Sequence, residues 1–278
     1  MLKMLESFGG DVQEWHSAEQ VHLYTEIQRR AYADRAEHMG DPDFWDVPLE
    51  ALLDYKYIEK RAEEIDLQKA ASSELIGPGK FLIQESEETT HYSIVDEEGN
   101  AVAVTTTLNA AYGSGIFVEG FGFLLNNEMD DFSAKPGEPN LYGLIGNEAN
   151  AIEPGKRMLS SMTPTIIEKE GELYMVLGTP GGSTIITSVF QTFLNVVDYD
   201  MTLYESANAL RVHHQWLPDK VFHEKEALSL TVVEELKQLG HTVEERKPIG
   251  RMDAILVLPD GRLEGAADKR GDDVAIGY

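Results

Sequence analysis

The spacing of apolar residues changes about a third of the way along the chain, and the first part has a helical pattern. Apolar residues recur at intervals of three or four between Val21 and Ala31, which is the spacing of one helix face. Ser17 and Gln20 have capping-box spacing ahead of this run, and Gly40 follows it. The pattern therefore predicts a long helix near the start of the chain.

A weaker helical pattern covers Leu49 to Ile65, and a polar connector follows over residues 66–88. The connector contains a Gly-Pro-Gly sequence at 77–79 and ends in a cluster of glutamates. Because Gly and Pro are strong local signals of turns and loops, we expect an exposed segment here.

From His91 onwards, alternation of apolar and polar residues predicts strands. His91–Val95 and Ala101–Leu108 flank a Glu-Glu-Gly-Asn turn, and Val102 shares one face with Val104. Further hairpins and helices follow: Thr163–Glu168 with Glu172–Gly178, a helix over Ser183–Val197, a capping box at Thr202 and Glu205, a helix over Leu228–Leu239 before Gly240, and a hairpin turning at 259–261. Hairpins on either side of helices predict an α+β fold with mostly antiparallel sheets.

Composition narrows the choice of partners. The 278 residues carry a net charge of −26, whereas nucleic acid and anionic membranes are bound through basic patches. The chain has no cysteine, which excludes thiol catalysis, disulfides and cysteine-based metal sites. No stretch approaches the length of a membrane span, and residues 1–10 lack the apolar run of a secretory signal. Taken literally, the sequence predicts a cytosolic protein.

Thr89 opens the first predicted strand, directly after the acidic connector. Threonine favours strands, so a Thr-Thr pair at a strand start is unremarkable by itself. A chain-terminal threonine is different, because its own α-amine, with an unperturbed pKa of about 8, can accept the hydroxyl proton. A cut between Glu88 and Thr89 would therefore give one residue the roles of nucleophile and base.

Six stretches carry a resemblance to a known family. They are AYADRAEHMGDPDFWDVPLEAL at 31–52, TTHYS at 89–93, NNEMDDFSAK at 126–135, LSSMTPT at 159–165, TPGGS at 179–183 and RVHHQWLPD at 211–219. In this order and at this spacing they resemble gamma-glutamyltransferases. The first stretch resembles the end of the family's large subunit, and the others resemble its small subunit.

The resemblance implies a fold in two pieces. It implies an αββα sandwich of the N-terminal-nucleophile hydrolase type, with four layers and mostly antiparallel sheets. Residues 1–88 would be a helical segment from the large subunit plus the connector. Residues 89–278 would be the small-subunit catalytic part of the same domain.

The resemblance also implies an activity, that of an autoprocessing threonine acyltransferase or hydrolase. After a cut between Glu88 and Thr89, the Thr89 hydroxyl would attack the γ-glutamyl amide of glutathione or a related compound. The γ-glutamyl-enzyme would pass its acyl group to water or to an amino acid. No cofactor and no metal are implied. The implied partners are this substrate, its acceptor, and the missing large-subunit part or the cleaved N-terminal segment. Secretion or periplasmic export is also implied, so that the natural N-terminus would be missing here.

Residue roles follow from the positions that match the family's motifs. Thr107 would orient the nucleophile, and the backbone N–H groups of Gly181 and Gly182 would form the oxyanion hole. The remaining matches would bind the substrate: Asn109, Glu128 and Asp131 at its α-amine, Ser160 and Ser161 at its α-carboxylate, and Tyr142 in a lid loop over Pro136–Gly146.

The sequence departs from the family pattern in several places. Glu128 stands where many members have glutamine, and Met158 where a proline commonly precedes Leu-Ser-Ser. Asp268-Lys269-Arg270 replaces the usual Asp-Pro-Arg. The bulk of the large subunit is absent, and no residue before Thr89 matches the arginine with which that part grips the substrate α-carboxylate.

Alternatives stay open beside this interpretation. A metal hydrolase would draw on His213, His214 and His223, but adjacent histidines on a strand point to opposite faces. An inert fragment or an uncut precursor, which keeps the fold but lacks a complete substrate site, would fit the short N-terminal part. Within the enzyme class, a poly-γ-glutamate depolymerase or a cephalosporin acylase-like amidase is the alternative.

Overall fold

The structure is a computed structural model that describes residues 1–9, 13–76, 89–140 and 144–277. Backbone contacts divide it into two compact units. Unit 1 takes its described residues from Met1–Glu85, Glu128–Ser160 and Val212–Lys247, and unit 2 from Ser86–Asn127, Ser161–Arg211 and Pro248–Tyr278. Unit 1 thus draws on both sides of residue 88, and the division at that residue stays a prediction about a cut.

Helices and strands are mixed along the described residues, so the α+β class is confirmed. The α-helices are α1 (Leu2–Glu6), α2 (Ala18–His38), α3 (Leu49–Leu53), α4 (Tyr55–Glu63), α5 (Ser73–Ile76), α6 (Thr184–Val197), α7 (Leu203–Asn208) and α8 (Leu230–Leu239). The strands are β1 (Thr89–Val95), β2 (Ala101–Thr107), β3 (Phe117–Val118), β4 (Phe123–Leu124), β5 (Thr165–Lys169), β6 (Glu172–Gly178), β7 (Val212–His213), β8 (Val221–Glu224), β9 (Val243–Arg246), β10 (Asp253–Val257) and β11 (Leu263–Ala267). No helix in these ranges is long and apolar enough to cross a membrane.

Two predicted helices have different bounds in the structure. The stretch expected to be helical, Leu49–Ile65, contains the two helices α3 and α4. They are separate because Asp54 between them is extended and caps α4. Its carboxylate accepts from the backbone N–H of Lys56 at 3.0 Å and of Tyr57 at 3.2 Å. The last helix begins at Leu230 rather than Leu228, because the Ser229 hydroxyl caps it by accepting from Val232.

Unit 2 is built around an antiparallel sheet in the order β11-β10-β6-β5. Successive side chains of a strand point to opposite faces. Met175 and Leu177 of β6 therefore share one face with Ala254 and Leu256 of β10, and this face packs against α6 and α7 in one hydrophobic core. The alternate residues of β6 and β10 form the other face.

The hairpin of β1 and β2 packs on that other face. Its inner side carries His91, which lies against Gly178 of β6, and Ser93, whose hydroxyl donates to the Asp253 carbonyl at 3.4 Å. Tyr92, Ile94 and Val102 are on its outer side and are 45%, 53% and 47% exposed. Unit 2 therefore has three layers, helices, sheet and hairpin, and the described residues leave the outer side of the hairpin apolar and exposed.

Unit 1 is organised around α2, whose Ser17 cap accepts from Gln20 N–H at 3.2 Å, as the capping-box spacing predicts. This helix buries polar as well as apolar side chains, including Glu26, Arg29 and Arg30. The sheet β7-β8-β9 belongs to the same unit, and its β8–β9 pair is parallel. The sequence pattern does not predict this sheet.

Candidate functional site

Thr89 is the first residue of β1, and the hairpin register sets it opposite Thr107, the last residue of β2. Its Oγ1 donates to Thr107 Oγ1 at 3.3 Å. Thr107 Oγ1 also accepts from the backbone N–H of Asn109 at 2.9 Å. Asn109 is buried with a positive φ of 74°, a conformation that asparagine adopts more readily than most residues. The predicted nucleophile, its orienting residue and one amine-binding residue are therefore adjacent.

His91 was not among the predicted site residues, yet it lies on the same face as Thr89, two residues along β1. Its Nδ1 is 2.8 Å from Thr105 Oγ1 and its Nε2 is 3.1 Å from Ser93 Oγ. Burial lowers the pKa of His91 to about 4, so the ring is neutral near pH 7. A Cβ on Gly178 would lie 2.2 Å from the ring. Glycine, which has no Cβ, therefore leaves room for the His91 ring at this position.

Gly181 and Gly182 form the entry to α6, with φ of 140° and 53°. Their carbonyls accept the first helical bonds, from Thr184 N–H at 2.9 Å and Ile185 N–H at 3.3 Å. The backbone N–H groups at a helix start have no intrahelical partner and lie at the positive end of the helix dipole. This is the electrostatics that an oxyanion requires. A Cβ on Gly181 would come within 2.5 Å of Thr184 Oγ1.

Glu128 and Asp131 are the two ends of a 3-10 helix in unit 1. The pKa of Asp131 is raised to about 7, chiefly by burial and also by the negative charges of Glu128 and Asp130, against the opposing positive charge of Arg35. Burial also raises the pKa of Glu128. A cation bound beside these two carboxyl groups would lower both pKa values, because an opposite charge favours the ionised form.

Arg35, near the end of α2, has no signal in the sequence that points to the site. It lines a small cavity together with Asp131, Ser133 and Leu159. Its guanidinium donates to the Ser160 carbonyl at 3.2 Å. Arg35 thus connects the carboxylate predicted to bind the amine with the backbone of a serine predicted to bind the carboxylate.

The predicted site residues divide between the two units. Unit 2 contains Thr89, Thr107, Asn109, Ser161, Gly181 and Gly182, and unit 1 contains Glu128, Asp131 and Ser160. Glu88, on the other side of the predicted cut, and Tyr142 lie outside the described residues. The roles of all these residues stay predictions.

One buried group in the described residues, His22, Glu26 and His241, has metal-ligand atoms within 4.8 Å of one another. These atoms are hydrogen-bonded to the protein: His22 Nδ1 lies 2.7 Å from His241 Nε2, and His22 Nε2 lies 2.9 Å from the Asp66 carbonyl. Glu26 forms ion pairs with Arg29 and Arg30. We therefore interpret the group as a buried polar network of unit 1.

The histidines of the weighed metal alternative are also engaged in hydrogen bonds. His213 Nε2 is 2.8 Å from Gln215 Oε1, and His214 Nδ1 accepts from Trp216 N–H at 3.1 Å. His223 Nδ1 is 2.9 Å from the Glu224 carbonyl. The prediction that the protein has no metal centre is not tested by these contacts.

Known proteins resemble this chain along its whole length. A family model described as gamma-glutamyltranspeptidase matches residues 1–278. The glutathione hydrolase proenzyme of Escherichia coli strain K12 is 49% identical over 279 residues, covering 100% of this chain and 48% of the relative. The solved gamma-glutamyltranspeptidase of Pseudomonas nitroreducens complexed with L-DON is 52% identical with a TM-score of 0.65, over 68% of this chain and 99% of that one.

Cephalosporin acylase from Bacillus halodurans has a TM-score of 0.79 over 100% of this chain and 49% of its own. Its identity of 23% makes this a likeness of fold alone. The chain spans about half the length of the curated relatives it matches. Since the family model covers every residue and the relatives reach 49% identity, this chain belongs to the gamma-glutamyltranspeptidase family.

Proposed function

We propose that this chain is the core of an autoprocessing N-terminal threonine acyltransferase or hydrolase that acts on glutathione and related γ-glutamyl amides. The observation that carries the proposal is the hydroxyl pair at the start of β1, where Thr89 Oγ1 lies 3.3 Å from Thr107 Oγ1. A hydroxyl held in a fixed direction at the first residue of a strand is what an N-terminal nucleophile needs.

The length of the solved relative supports a cut between Glu88 and Thr89. Residues 89–278 are 190 of the 278 residues, or about 68% of the chain. The Pseudomonas nitroreducens chain matches 68% of this chain while being covered over 99% of its own length. A polypeptide of the size that this cut would release is therefore a separate chain in a relative.

In the proposed maturation, the Thr89 hydroxyl attacks the Glu88 carbonyl carbon and the C–N bond between the two residues breaks. The acyl group moves from nitrogen to oxygen, and the resulting ester is hydrolysed by one water molecule. The products are a Glu88 carboxylate and a free Thr89 α-amine. Thr107 keeps the hydroxyl aimed in one direction throughout.

In the proposed turnover, the Thr89 α-amine takes the proton of its own hydroxyl as Oγ1 attacks the γ-glutamyl carbonyl. The N–H groups of Gly181 and Gly182 stabilise the oxyanion. The leaving amine departs with the proton, and water or an amino acid then attacks the ester and regenerates Thr89. Two half-reactions through a covalent intermediate give ping-pong kinetics.

Recognition of the γ-glutamyl group is proposed for the polar residues of the candidate site. Asn109, Glu128 and Asp131 bind the α-amine, because carboxylates form strong charge-assisted hydrogen bonds with an ammonium group. Ser160 and Ser161 bind the α-carboxylate, and Tyr142 belongs to the lid. This chemistry favours glutathione-type substrates over poly-γ-glutamate or cephalosporin amides.

The whole protein requires a partner for unit 2. Tyr92, Ile94 and Val102 form an apolar face that the described part of the chain leaves exposed, and an αββα sandwich has a fourth layer at this side. The relatives are about twice as long as this chain, so we propose their additional half as the partner. The same observation favours the second candidate, a chain that keeps the fold but is catalytically incomplete alone. Export to the periplasm or medium is proposed from the family resemblance, and cell fractionation tests it.

The test is the intact mass of the purified chain over a day, beside Thr89→Ala. Thr90→Ala is the matched control, because Thr90 is the next residue of β1 on the opposite, exposed side. Two fragments meeting at Glu88–Thr89 in the wild type and in Thr90→Ala alone support the proposal. Cleavage of Thr89→Ala at that bond contradicts it.

Turnover then separates the substrates. The purified chain from the mass experiment is assayed alone and with the additional half of the Escherichia coli relative. The substrates are a γ-glutamyl anilide, poly-γ-glutamate and a cephalosporin amide. A single uncut species without turnover in either mixture supports the incomplete fragment.

A further inference from the structure

Unit 1 is assembled from chain on both sides of the proposed cut. Its first stretch, within Met1–Glu85, precedes Thr89, and its other two, Glu128–Ser160 and Val212–Lys247, follow it. A cut at residue 88 therefore leaves this unit made of two polypeptides. The two polypeptides are held together by the contacts that α2 and its neighbours make with the two later stretches.

The centre of these contacts is an ion pair between Arg29 of α2, which is buried, and Asp219, whose side chain is 37% exposed. Arg29 is 1% exposed, and its Nη1 donates to Asp219 Oδ1. The same carboxylate accepts from the Ser73 backbone N–H at 2.8 Å through its second oxygen. One side chain from the later piece thus binds both α2 and the first residue of α5 in the earlier piece.

Trp216 adds a second bond at the same place. Its indole Nε1 donates to the Ser73 carbonyl at 3.0 Å, and both residues are almost completely buried. Both backbone polar groups of Ser73 are therefore satisfied by residues from the other side of the cut. Ala70 N–H, three residues earlier, also donates to the Leu239 carbonyl at 2.7 Å.

These hydrogen bonds lie near the C-terminal end of the earlier piece. Ser73 is the first residue of α5, and it lies fifteen residues before Glu88 in the sequence. A chain end produced at Glu88 would be tied down at Ser73, however the residues between them are arranged. Arg29, Ser73 and Trp216 are almost completely buried. Separation of the pieces would therefore remove the hydrogen-bond partners of their polar groups, which costs free energy.

We propose that Asp219 and Trp216 form an anchor that binds Ser73 and Arg29. This anchor retains residues 1–88 on residues 89–278 after cleavage. The position of the cut rests on the proposed function, whereas the anchor is present in the uncut chain. The partner of this surface is the cleaved segment itself. The anchor keeps α2, and with it Arg35, next to Asp131 in the mature protein.

The test makes the cut without Thr89. In Thr89→Ala, residues 79–85 are replaced by the recognition sequence of a site-specific protease, and the protein is cut with that protease. Native mass spectrometry and size-exclusion chromatography then report whether the two pieces stay together. An isotope-labelled copy of the N-terminal piece, added in excess, measures the rate at which that piece exchanges. Failure of self-cleavage would overturn the proposed function and leave this test intact.

The two pieces are expected to elute together, with exchange accelerated by at least about tenfold in Asp219→Ala, which corresponds to about 1.4 kcal/mol. Trp216→Phe removes only the indole donor to Ser73 and is expected to have a smaller effect in the same direction. Lys220→Ala is the control, because Lys220 is next to Asp219 but pairs at the surface with Glu244. The uncut variants are checked by circular dichroism, and Trp216→Phe serves where Asp219→Ala does not fold.

Two results would overturn the anchor. The first is separation of the wild-type pieces as soon as the chain is cut. The second is exchange in both Asp219→Ala and Trp216→Phe that is no faster than in Lys220→Ala. A double-mutant cycle of Arg29→Ala with Asp219→Ala adds a stricter criterion, because additive effects would show that the two side chains do not act together.

Discussion

The hydroxyl of Thr89 donates to the hydroxyl of Thr107 across the first hairpin, at 3.3 Å. Thr107 is itself fixed by the Asn109 N–H, at 2.9 Å. A backbone group therefore orients one hydroxyl, and that hydroxyl orients the next. The direction of the Thr89 side chain is in this way set by the backbone of β2 and the residue that follows it.

Replacing Thr107 by valine keeps the shape of the side chain and removes the acceptor of Thr89. Self-cleavage of Thr107→Val is expected to slow by about tenfold to a hundredfold, the effect of about 1.4 to 2.7 kcal/mol on a barrier. Thr107→Ser, which keeps the hydroxyl, is expected to cleave within a few-fold of the wild type. Time courses of intact mass measure both, and equal rates in Val and Ser variants would refute the orienting role.

Substrate affinity is expected to depend on pH through Asp131, whose pKa burial raises to about 7. Below that pH the carboxyl is neutral and attracts an ammonium group less. The Ki of a non-reacting amino-acid competitor such as glutamate is therefore expected to rise about tenfold between pH 8 and pH 6. Asp131→Asn should bind weakly and with no such dependence. A wild-type Ki that stays constant over this range would argue against Asp131 as the amine-binding group.

Arg35 is expected to set the pH at which this transition occurs. Its positive charge opposes the rise in the Asp131 pKa, so Arg35→Gln should move the midpoint of the Ki profile to a pH about one unit higher. Arg262→Gln is the control, because Arg262 forms an exposed pair with Asp260. A weaker Ki at every pH with an unmoved midpoint would indicate that Arg35 only supports the fold.

Gly178 is expected to tolerate no side chain while His91 is present. An alanine Cβ would lie 2.2 Å from the His91 ring, and overpacking of this kind costs about 1–3 kcal/mol. Urea unfolding of Gly178→Ala should show this loss, and His91→Ala should reduce it in the double variant. If the loss of unfolding free energy in the double variant equals the sum of the losses in the two single variants, the ring and the glycine do not limit each other.

Features with a local signal were predictable from the sequence. The turn at residues 97–100 centres the first hairpin near residue 98, so Thr89 and Thr107, nine residues to either side, are expected to pair. The capping boxes at Ser17 and Thr202 likewise mark where α2 and α7 begin. The glycine pair ahead of α6 lies in the stretch TPGGS at 179–183, which the family resemblance identifies.

Features that depend on distant residues were not predictable. The strands β7 to β9 have two to four residues each, too few for a clear alternation, and the parallel partner of β8 lies across an intervening helix. Arg29 meets Asp219 at a separation of 190 residues, and no pattern within α2 distinguishes it from a surface arginine. Arg35 was missed because its importance arises only from the cavity that Asp131 and Leu159 form with it.

The composition of unit 1 also has a consequence for timing during synthesis. Its long helix α2 packs with residues that the ribosome adds more than 170 positions later, within Val212–Lys247. Contacts of such long sequence separation make folding slow, since a large loop must close before they form. Unit 1 therefore cannot be completed on a nascent chain shorter than about 247 residues. Until then α2 stays partly exposed, in the kind of state that chaperones bind.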